Sequence, residues 1–300
     1  MPFDCGVSTE EQLQTSLERG IDVLFVTNHN TLDGYRQILE YQRNHEKFKN
    51  IGIYPAEEIT IDNQGHILAY GITKEVRSGM TLEETIDEIK RQNAVSCAAH
   101  PFAVTNGIRE RACMCDIMES FNSNNVDRFS NIVAEKFAKH NNMPTVAGSD
   151  SHILSTIGRC MNTIESEDNL DSIIQLLRNG KVKIARVDYA SKHEVYEHVR
   201  YIISSSRELL LDHALQYHPR AYWVAKWALN SYTTNPDSRF WSALGALALY
   251  LTKRVSEKVN IKGYSPEVFV DRSWKTLITM GLLPFLFTDR VQEISEFLAS

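Results

Sequence analysis

The sequence predicts an α/β fold in its first part and an all-α second part. Two observations lead to this prediction. In residues 1–188, short apolar runs rich in β-branched residues alternate with segments of helical spacing, as in repeated βαβ units. In residues 189–300 long segments of helical spacing prevail, and all four tryptophans of the chain lie there. We therefore expect two domains, 1–188 and 189–300.

The composition is that of an ordinary globular protein. The chain has 300 residues, of which 43% are hydrophobic and 23% charged, and this excludes disordered and collagen-like classes. Its net charge of -6 argues against a general nucleic-acid-binding surface, because such a surface needs a basic face. A local basic patch stays open, but the sequence gives no strong sign of binding to duplex nucleic acid.

The sequence gives no sign of a membrane or secretory protein. No apolar run reaches the roughly 18 to 20 residues that a membrane-spanning helix needs. The N-terminus lacks a basic segment followed by an apolar one, so no secretory signal is expected. The five cysteines are an odd number and fit reduced thiols better than a disulfide framework. We expect a cytoplasmic protein without membrane contact.

The predicted elements of the first part follow one another as strand and helix. Ser8-Thr9-Glu10-Glu11 is a capping box that predicts a helix over 9–19, and Thr81 with Glu84 predicts another. The remaining predictions are helices over 32–47, 125–140 and 168–179, and strands over 21–27, 51–54, 58–61, 66–72, 94–99, 117–121, 145–148 and 182–187. Repeated units of this kind either close into a barrel or form an open sheet.

Four helices are predicted in the second part, over 194–211, 221–232, 240–259 and 271–287. Trp223 and Trp227 are four residues apart, which places them on one helix face. Because aromatic side chains dominate the packing of protein cores, we expect both to be buried. The same expectation holds for Trp241 and Trp274.

Histidines and acids of the first part fall where predicted strands begin or end. In a parallel barrel the carboxyl ends of the strands meet at one face, where imidazole and carboxylate groups can surround metal ions. Each histidine alone is better explained as a satisfied polar residue, but their joint placement favours a metal site. The side chains that we expect to converge are those of His29, Glu58, His66, His100, Asp150 and His152.

Five short motifs of the first part occur in an order and spacing that resemble those of a known family. They are Thr27-Asn28-His29-Asn30-Thr31 followed by Gly34, Ala56-Glu57-Glu58-Ile59-Thr60, Gly65-His66-Ile67-Leu68, Ala99-His100-Pro101 and Gly148-Ser149-Asp150-Ser151-His152. With these motifs, residues 1–187 resemble the polymerase and histidinol phosphatase (PHP) family of metal-dependent phosphoesterases. The resemblance implies a distorted (β/α)7 barrel that holds two or three divalent ions, commonly zinc, manganese, iron or magnesium.

The resemblance also assigns roles to residues. It makes His29, Glu58, His66, His100, Asp150 and His152 metal ligands, and Asp150, His152 and Glu58 the catalytic residues. Glu57 precedes the matching glutamate and is not expected to be a ligand. In such a site a metal-activated water attacks phosphorus, while a second ion neutralises charge on the phosphoryl oxygens.

The chain departs from the family pattern at two places. The family's first strand, which ends in His-x-His, is absent, and Asp4-Cys5-Gly6 resembles the acidic landmark that follows it. Three explanations stay open: a start codon placed too late, a degenerate homologue, or a barrel completed by another chain. With two ligands missing, we expect fewer metal ions and little or no activity from residues 1–300. Asn28 stands where the family has aspartate, which weakens the orientation of His29.

Two arginines are candidate substrate-binding residues. Arg109 and Arg111 follow His100-Pro101 in the sequence, and either can grip a phosphate with two hydrogen bonds. The alternative is a solvated pair of arginines in a surface loop.

The expected function is hydrolysis of a phosphomonoester or phosphodiester by a metal-dependent phosphoesterase. The expected partner is a small phosphorylated substrate or nucleotide; the oligomeric state is left open. The alternative is a degenerate, non-catalytic module of the same fold with a regulatory or scaffolding role. The two readings differ in whether the site binds enough metal to hydrolyse a phosphate ester.

Overall fold

The computed structural model describes residues 5–165 and 169–265. Strands and helices alternate up to residue 186, and helices alone follow. The elements in chain order are α1 (Thr9–Glu18), β1 (Val23–His29), α2 (Asp33–Arg43), β2 (Gly52–Thr60), β3 (His66–Tyr70), α3 (Leu82–Arg91), β4 (Val95–Ala98), β5 (Ile117–Asn122), α4 (Phe129–Asn141), β6 (Thr145–Gly148), β7 (Met161–Ile164), α5 (Leu170–Arg178), β8 (Val182–Arg186), α6 (Lys192–Ser205), α7 (Arg207–Tyr217), α8 (Tyr222–Thr234) and α9 (Arg239–Lys262).

The two predicted capping boxes are confirmed. The Ser8 hydroxyl accepts a hydrogen bond from the Glu11 amide at 3.3 Å, and the Glu11 carboxylate accepts one from the Ser8 amide at 3.0 Å. Thr81 and Glu84 make the same reciprocal pair at the start of α3. Each box satisfies amide groups that the first helical turn leaves without a partner, and thereby fixes where the helix begins.

The principal sheet has six strands in the order β1-β2-β3-β4-β5-β6. Strand β3 runs antiparallel to both of its neighbours, and the other pairs are parallel. Strands β7 and β8 pair with each other in a separate antiparallel ribbon. The α/β class and the helical C-terminal region are thus as expected. The described strands do not pair into one closed seven-stranded barrel.

Apolar side chains cover both faces of this sheet. Ile67 belongs to a core cluster that includes Phe102 on one face, whereas its neighbour Leu68 belongs to a cluster with Ile173 on the other face. Successive side chains of a strand point to opposite faces, so a strand between two apolar layers has no polar face. Burial on both faces holds the strands, and therefore their polar ends, in fixed positions.

Helix α9 is fastened to the first part by buried polar contacts. The Ser256 hydroxyl donates to the Asp127 carboxylate at 2.5 Å, and the side-chain amide of Asn260 donates to the Phe102 carbonyl at 3.1 Å. Ser256 is fully buried, and Asp127 is 7% exposed. Because buried polar groups are costly when unpaired, these bonds fix the position of α9 against α4.

The prediction that the tryptophans are buried is wrong for two of them. Trp223 is 72% exposed and Trp227 is 59% exposed, whereas Trp241 is partly buried and stands edge-on to Tyr232. Their helix, α8, turns other residues toward α6 and α7, so the face that carries Trp223 and Trp227 lies toward solvent. Trp274 and the helix predicted over 271–287 lie outside the described residues.

Across residues 5–165 and 169–265, no helix combines the length and the apolar character that a membrane crossing requires.

Candidate metal centre

The strand register brings the first three predicted ligands together. His29, the last residue of β1, lies opposite Glu58 in the parallel strand β2. His66 is the first residue of β3, and because β3 is antiparallel to β2, it lies beside Thr60 near the end of β2. Residues at the end of two strands and at the start of a third thus reach one edge of the sheet.

The Glu58 carboxylate lies at the centre of three imidazoles. Its oxygens are 2.7 Å from His66 Nδ1, 3.2 Å from His100 Nε2 and 3.5 Å from His29 Nε2. Glu58 is 6% exposed. One donor atom each from His29, Glu58 and His66 lies within 4.8 Å of the others, which is close enough to hold a common cation.

The remaining predicted ligands reach the same place from unusual backbone conformations. His100 has φ of 29° and Asp150 has φ of 48°, in the left-handed region that non-glycine residues rarely adopt. The His100 amide donates to the Glu119 carboxylate at 2.7 Å. His152 Nδ1 is 2.9 Å from the Asp150 carbonyl, which can only accept, so Nε2 is the atom left to bind a metal.

The structure brings all six predicted ligands to one pocket of about 280 Å³. A larger groove of about 910 Å³ lies beside it, between β1 and the ribbon of β7 and β8. The pocket and the groove share five of the six residues, namely His29, Glu58, His100, Asp150 and His152. The pocket and the groove are therefore continuous with each other.

The helical region contributes one wall of the pocket, which sequence reasoning missed. Val195, His198 and Val199 of α6 line it, and the His198 ring stacks on the His152 ring with centroids 4.4 Å apart. The sequence does contain a signal for this wall: the three residues are spaced three and four positions apart, which places them on one face of α6. Arg159 fixes the start of α6 through ion pairs with Asp188 and Glu194.

Two asparagines of the pocket were also missed. The Asn106 amide nitrogen lies 3.3 Å from His66 Nδ1, and the Asn124 amide donates to the Asp150 carbonyl at 2.6 Å. Both residues lie in loops, where no periodic pattern marks them. Contacts of this kind orient metal ligands, and their loss commonly weakens metal binding.

Neither of the predicted phosphate-binding arginines lines the pocket. Arg109 donates to the Asn260 side chain at 3.2 Å and lies over the Phe102 ring, so it fastens α9 to the first part. Arg111 makes two hydrogen bonds to the Glu83 carboxylate at the start of α3, at 3.0 and 3.1 Å. The loop after His100 turns away from the pocket before it reaches either arginine, so the structure does not support their proposed role.

The imidazoles stabilise the negative charge of Glu58. Burial alone would raise the pKa of Glu58, but the hydrogen bonds from His100 and His66 hold it well below its usual value. Burial alone would lower the pKa of His100, but Glu58 outweighs burial and raises it to about 9. Burial raises the pKa of Glu119, behind His100, to about 7. The ionised Glu58 carboxylate therefore places a negative charge among the imidazoles, as a cation site requires.

Asn28 packs against Gly34 of the same motif. A Cβ atom at position 34 would lie 1.7 Å from Asn28 Oδ1, so a larger residue there would displace the Asn28 side chain. The asparagine that replaces the family's aspartate thus keeps a tightly packed position beside His29.

Glu57 faces away from the site, as alternation along β2 requires. It is fully buried, and one of its oxygens accepts a hydrogen bond from the Val76 amide at 2.9 Å. Burial raises the pKa of Glu57 to about 7, although the Val76 amide acts in the opposite direction.

We expect Glu57→Gln to make stability less dependent on pH. Because the folded state favours protonated Glu57, the free energy of unfolding of the native protein falls as pH rises from 4.5 to about 7. Glutamine removes this penalty and keeps the acceptor for Val76, so the variant should gain about 3 kcal/mol relative to the native protein over that range. Urea unfolding at several pH values measures it; parallel stability curves would contradict the assignment.

Comparison with known proteins relates this chain to a described family. A family model described as PHP-associated matches residues 129–182. Two relatives are uncharacterized proteins of Methanocaldococcus jannaschii. MJ1587 is 27% identical over 125 residues, which is 41% of this chain and 70% of the relative. MJ0417 is 28% identical over 114 residues, which is 35% of this chain and 48% of the relative.

Three solved structures are similar to parts of this chain at low sequence identity. PsfC from Pseudomonas syringae PB-5123 has a TM-score of 0.48 and 15% identity, over 65% of this chain and 88% of that chain. The lesion-specific endonuclease PfuEndoQ from Pyrococcus furiosus has a TM-score of 0.47 and 17% identity, over 61% of this chain and 55% of that chain. Endonuclease Q, in complex with a 27-mer duplex substrate that carries an abasic lesion, has a TM-score of 0.47 and 16% identity, over 61% of this chain and 56% of that chain.

The comparison corrects the expected partner. From its net charge, the chain was expected to act on a small phosphorylated substrate or nucleotide without binding duplex nucleic acid. Its structural neighbours include an endonuclease with a bound 27-mer duplex, and this finding overturns that expectation. Net charge alone does not exclude a nucleic-acid partner, because it averages over the surface and does not register local patches.

Proposed function

We propose that this chain, which matches a PHP-associated family model over residues 129–182, is a metal-dependent phosphoesterase that hydrolyses phosphodiester bonds of a nucleic acid. The observation that carries this proposal is the group of imidazoles and carboxylates around Glu58. Five histidines and three acids line one pocket, and Glu58 alone lies within 3.5 Å of three imidazoles. A structural core has no need for so many titratable groups in one place.

The donor set fits a divalent cation. Imidazole and carboxylate donors suit zinc, manganese and iron, whereas magnesium prefers oxygen ligands alone. Among the described residues, His29, Glu58 and His66 would hold one ion, and Asp150, His152 and His100 line the same pocket. We propose zinc, manganese or iron as the cofactor.

The chain's own groups perform the steps around the metal. A bound cation supplies a water of lowered pKa and neutralises charge on the phosphate. Glu58 keeps the three imidazoles in place, and its low pKa keeps it ionised at neutral pH. Asp150 and His152 line the same pocket, where they would orient the attacking water and the phosphate. Val195 and Val199 of α6 limit the entry of bulk water.

The groove supports a polymeric substrate. Its volume of about 910 Å³ exceeds what a single phosphate group fills, and it is continuous with the metal-binding side chains. Residues 213–256 of the helical region carry five basic side chains against one acidic side chain, which suits a polyanion. We therefore favour a nucleic-acid strand, with the scissile bond in the pocket and the flanking chain in the groove.

The six candidate ligands share one pocket, so we expect metal-dependent hydrolysis of single- and double-stranded oligonucleotides, contrary to the little or no activity expected from the ligand count. We expect Asp150→Asn to reduce it at least about a hundredfold, as loss of a ligand does. The measurement is cleavage of labelled strands by protein freed of metal and then supplied with zinc, manganese or iron. The matched control is Asp171→Asn at the exposed start of α5, which should keep full activity. Metal binding without hydrolysis of any phosphate ester would instead favour the non-catalytic module.

A further inference from the structure

Helices α7 and α8 present aromatic rings to solvent. Tyr217 at the end of α7 is 60% exposed, and Trp223 and Trp227 of α8 are 72% and 59% exposed. We call these three residues, with Arg220 and Lys226, the aromatic surface. Burial of such rings is worth several kcal/mol in a core. Three exposed rings on two consecutive helices therefore indicate a surface for a binding partner.

The charges of this surface are nearly all positive. Between residues 213 and 256 the sequence has one acid, Asp237, and its carboxylate is paired with Arg200 at 2.6 Å. Lys226 lies over the Trp223 ring, 5.6 Å from its centroid. The basic side chains of this stretch are Arg220, Lys226, Arg239, Lys253 and Arg254. Arg239, Lys253 and Arg254 lie on α9, so the aromatic surface itself carries two cations, Arg220 and Lys226, on a protein whose net charge is -6.

We propose that the aromatic surface binds single-stranded nucleic acid, with unpaired bases on Trp223 and Trp227 and phosphates beside Arg220 and Lys226. Rings four residues apart on a helix are separated by about 6 Å along its axis, which matches the spacing of successive bases in an extended strand. A duplex keeps its bases stacked on each other, so its bases are not available to these rings.

Charge decides between this partner and an apolar one. A purely apolar partner would leave the cations of the surface without counter-charges, whereas a nucleic-acid strand satisfies both rings and cations. The exposed stripe of α9, with Leu244 and Leu247, has no aromatic ring at those positions and is not part of the proposal. It supplies a control instead.

The inference rests on the proposed function for the choice of a polynucleotide, but its test does not require catalysis. Binding of an oligothymidine of about 20 nucleotides is measured in EDTA by fluorescence anisotropy and by quenching of tryptophan emission. We expect the native chain to bind it more tightly than a hairpin duplex, with an affinity that falls as salt rises.

Variants locate the site. The double variant Trp223→Ala/Trp227→Ala should weaken binding by about tenfold or more, as loss of a stacked base does. Lys226→Gln should weaken it less and reduce the salt dependence. Leu244→Ala removes a similarly exposed apolar side chain, 45% exposed, without removing a ring, and should leave binding unchanged. Circular dichroism checks that each variant is folded.

Two results would overturn the proposal. One is equal affinity of the native chain and the double tryptophan variant for oligothymidine. The other is an oligomer in light scattering that dissociates in the double variant while nucleic-acid binding persists, because the surface would then be an interface between copies. Failure of the proposed hydrolysis with intact, tryptophan-dependent binding would leave this inference standing and remove only the catalytic proposal.

Discussion

Glu58→Gln is expected to abolish metal-dependent hydrolysis, with a loss of about a thousandfold or more. The carboxylate lies within 3.5 Å of His29, His66 and His100, and burial allows no water to replace it. Glutamine keeps the shape but removes the negative charge, so both the cation and the arrangement of the imidazoles lose their main support. Metal content by elemental analysis should fall together with the rate.

The neighbouring residue provides the control for this variant. Glu57→Gln is the same chemical change one position earlier in β2, but it lies on the opposite face and contacts the Val76 amide. It should keep metal binding and activity. If Glu57→Gln lost as much metal as Glu58→Gln, the assignment of Glu58 as the ligand would be wrong.

Gly107→Ala is expected to destabilise the protein by about 3 kcal/mol, at the upper end for overpacking. A Cβ atom at this position would lie 2.4 Å from the Pro101 carbonyl oxygen and 2.6 Å from that of Ala103. Both are backbone atoms of a tight loop, in which the Gly107 amide donates to Ala103 and the Arg109 amide to Pro101. The loop cannot yield without moving His100 and Asn106 out of the pocket.

Thermal or urea unfolding measures this effect. Gly79→Ala is the matched control, because Gly79 has φ of 76° and no atom within 4 Å of an added Cβ. It should cost about 1 kcal/mol for the backbone conformation alone. Equal losses of unfolding free energy in the two variants would show that contacts of the added Cβ atom at position 107 do not cause the destabilisation.

Local signals predicted much of the first part. Polar caps such as Ser8 and Thr81 fix helix starts through bonds three residues away, so a short window of sequence contains the whole cause. Strand β6, Thr145–Gly148, matches the apolar run 145–148 residue for residue. The six candidate ligands share a pocket because strand ends collect at one edge of a sheet, and this too is a property of local pattern.

Contacts between distant segments escaped prediction. The role of Arg109 depends on Asn260, which is 151 positions away in the sequence. The place of His198 depends on the direction in which α6 leaves the first part, and that direction is set by ion pairs of Arg159. The exposure of Trp223 depends on which face of α8 meets other helices, and an apolar helix with several candidate faces does not specify it.

The left-handed backbone at His100 and Asp150 implies a conflict between robustness and activity. Each such residue costs about 1–2 kcal/mol relative to an ordinary conformation, and that cost is present in the folded chain before any cation arrives. Selection for heat resistance alone would favour glycine at both positions, because glycine relieves the cost. Thermostable variants of this protein that acquire glycine there would thus trade metal-site chemistry for a higher melting temperature.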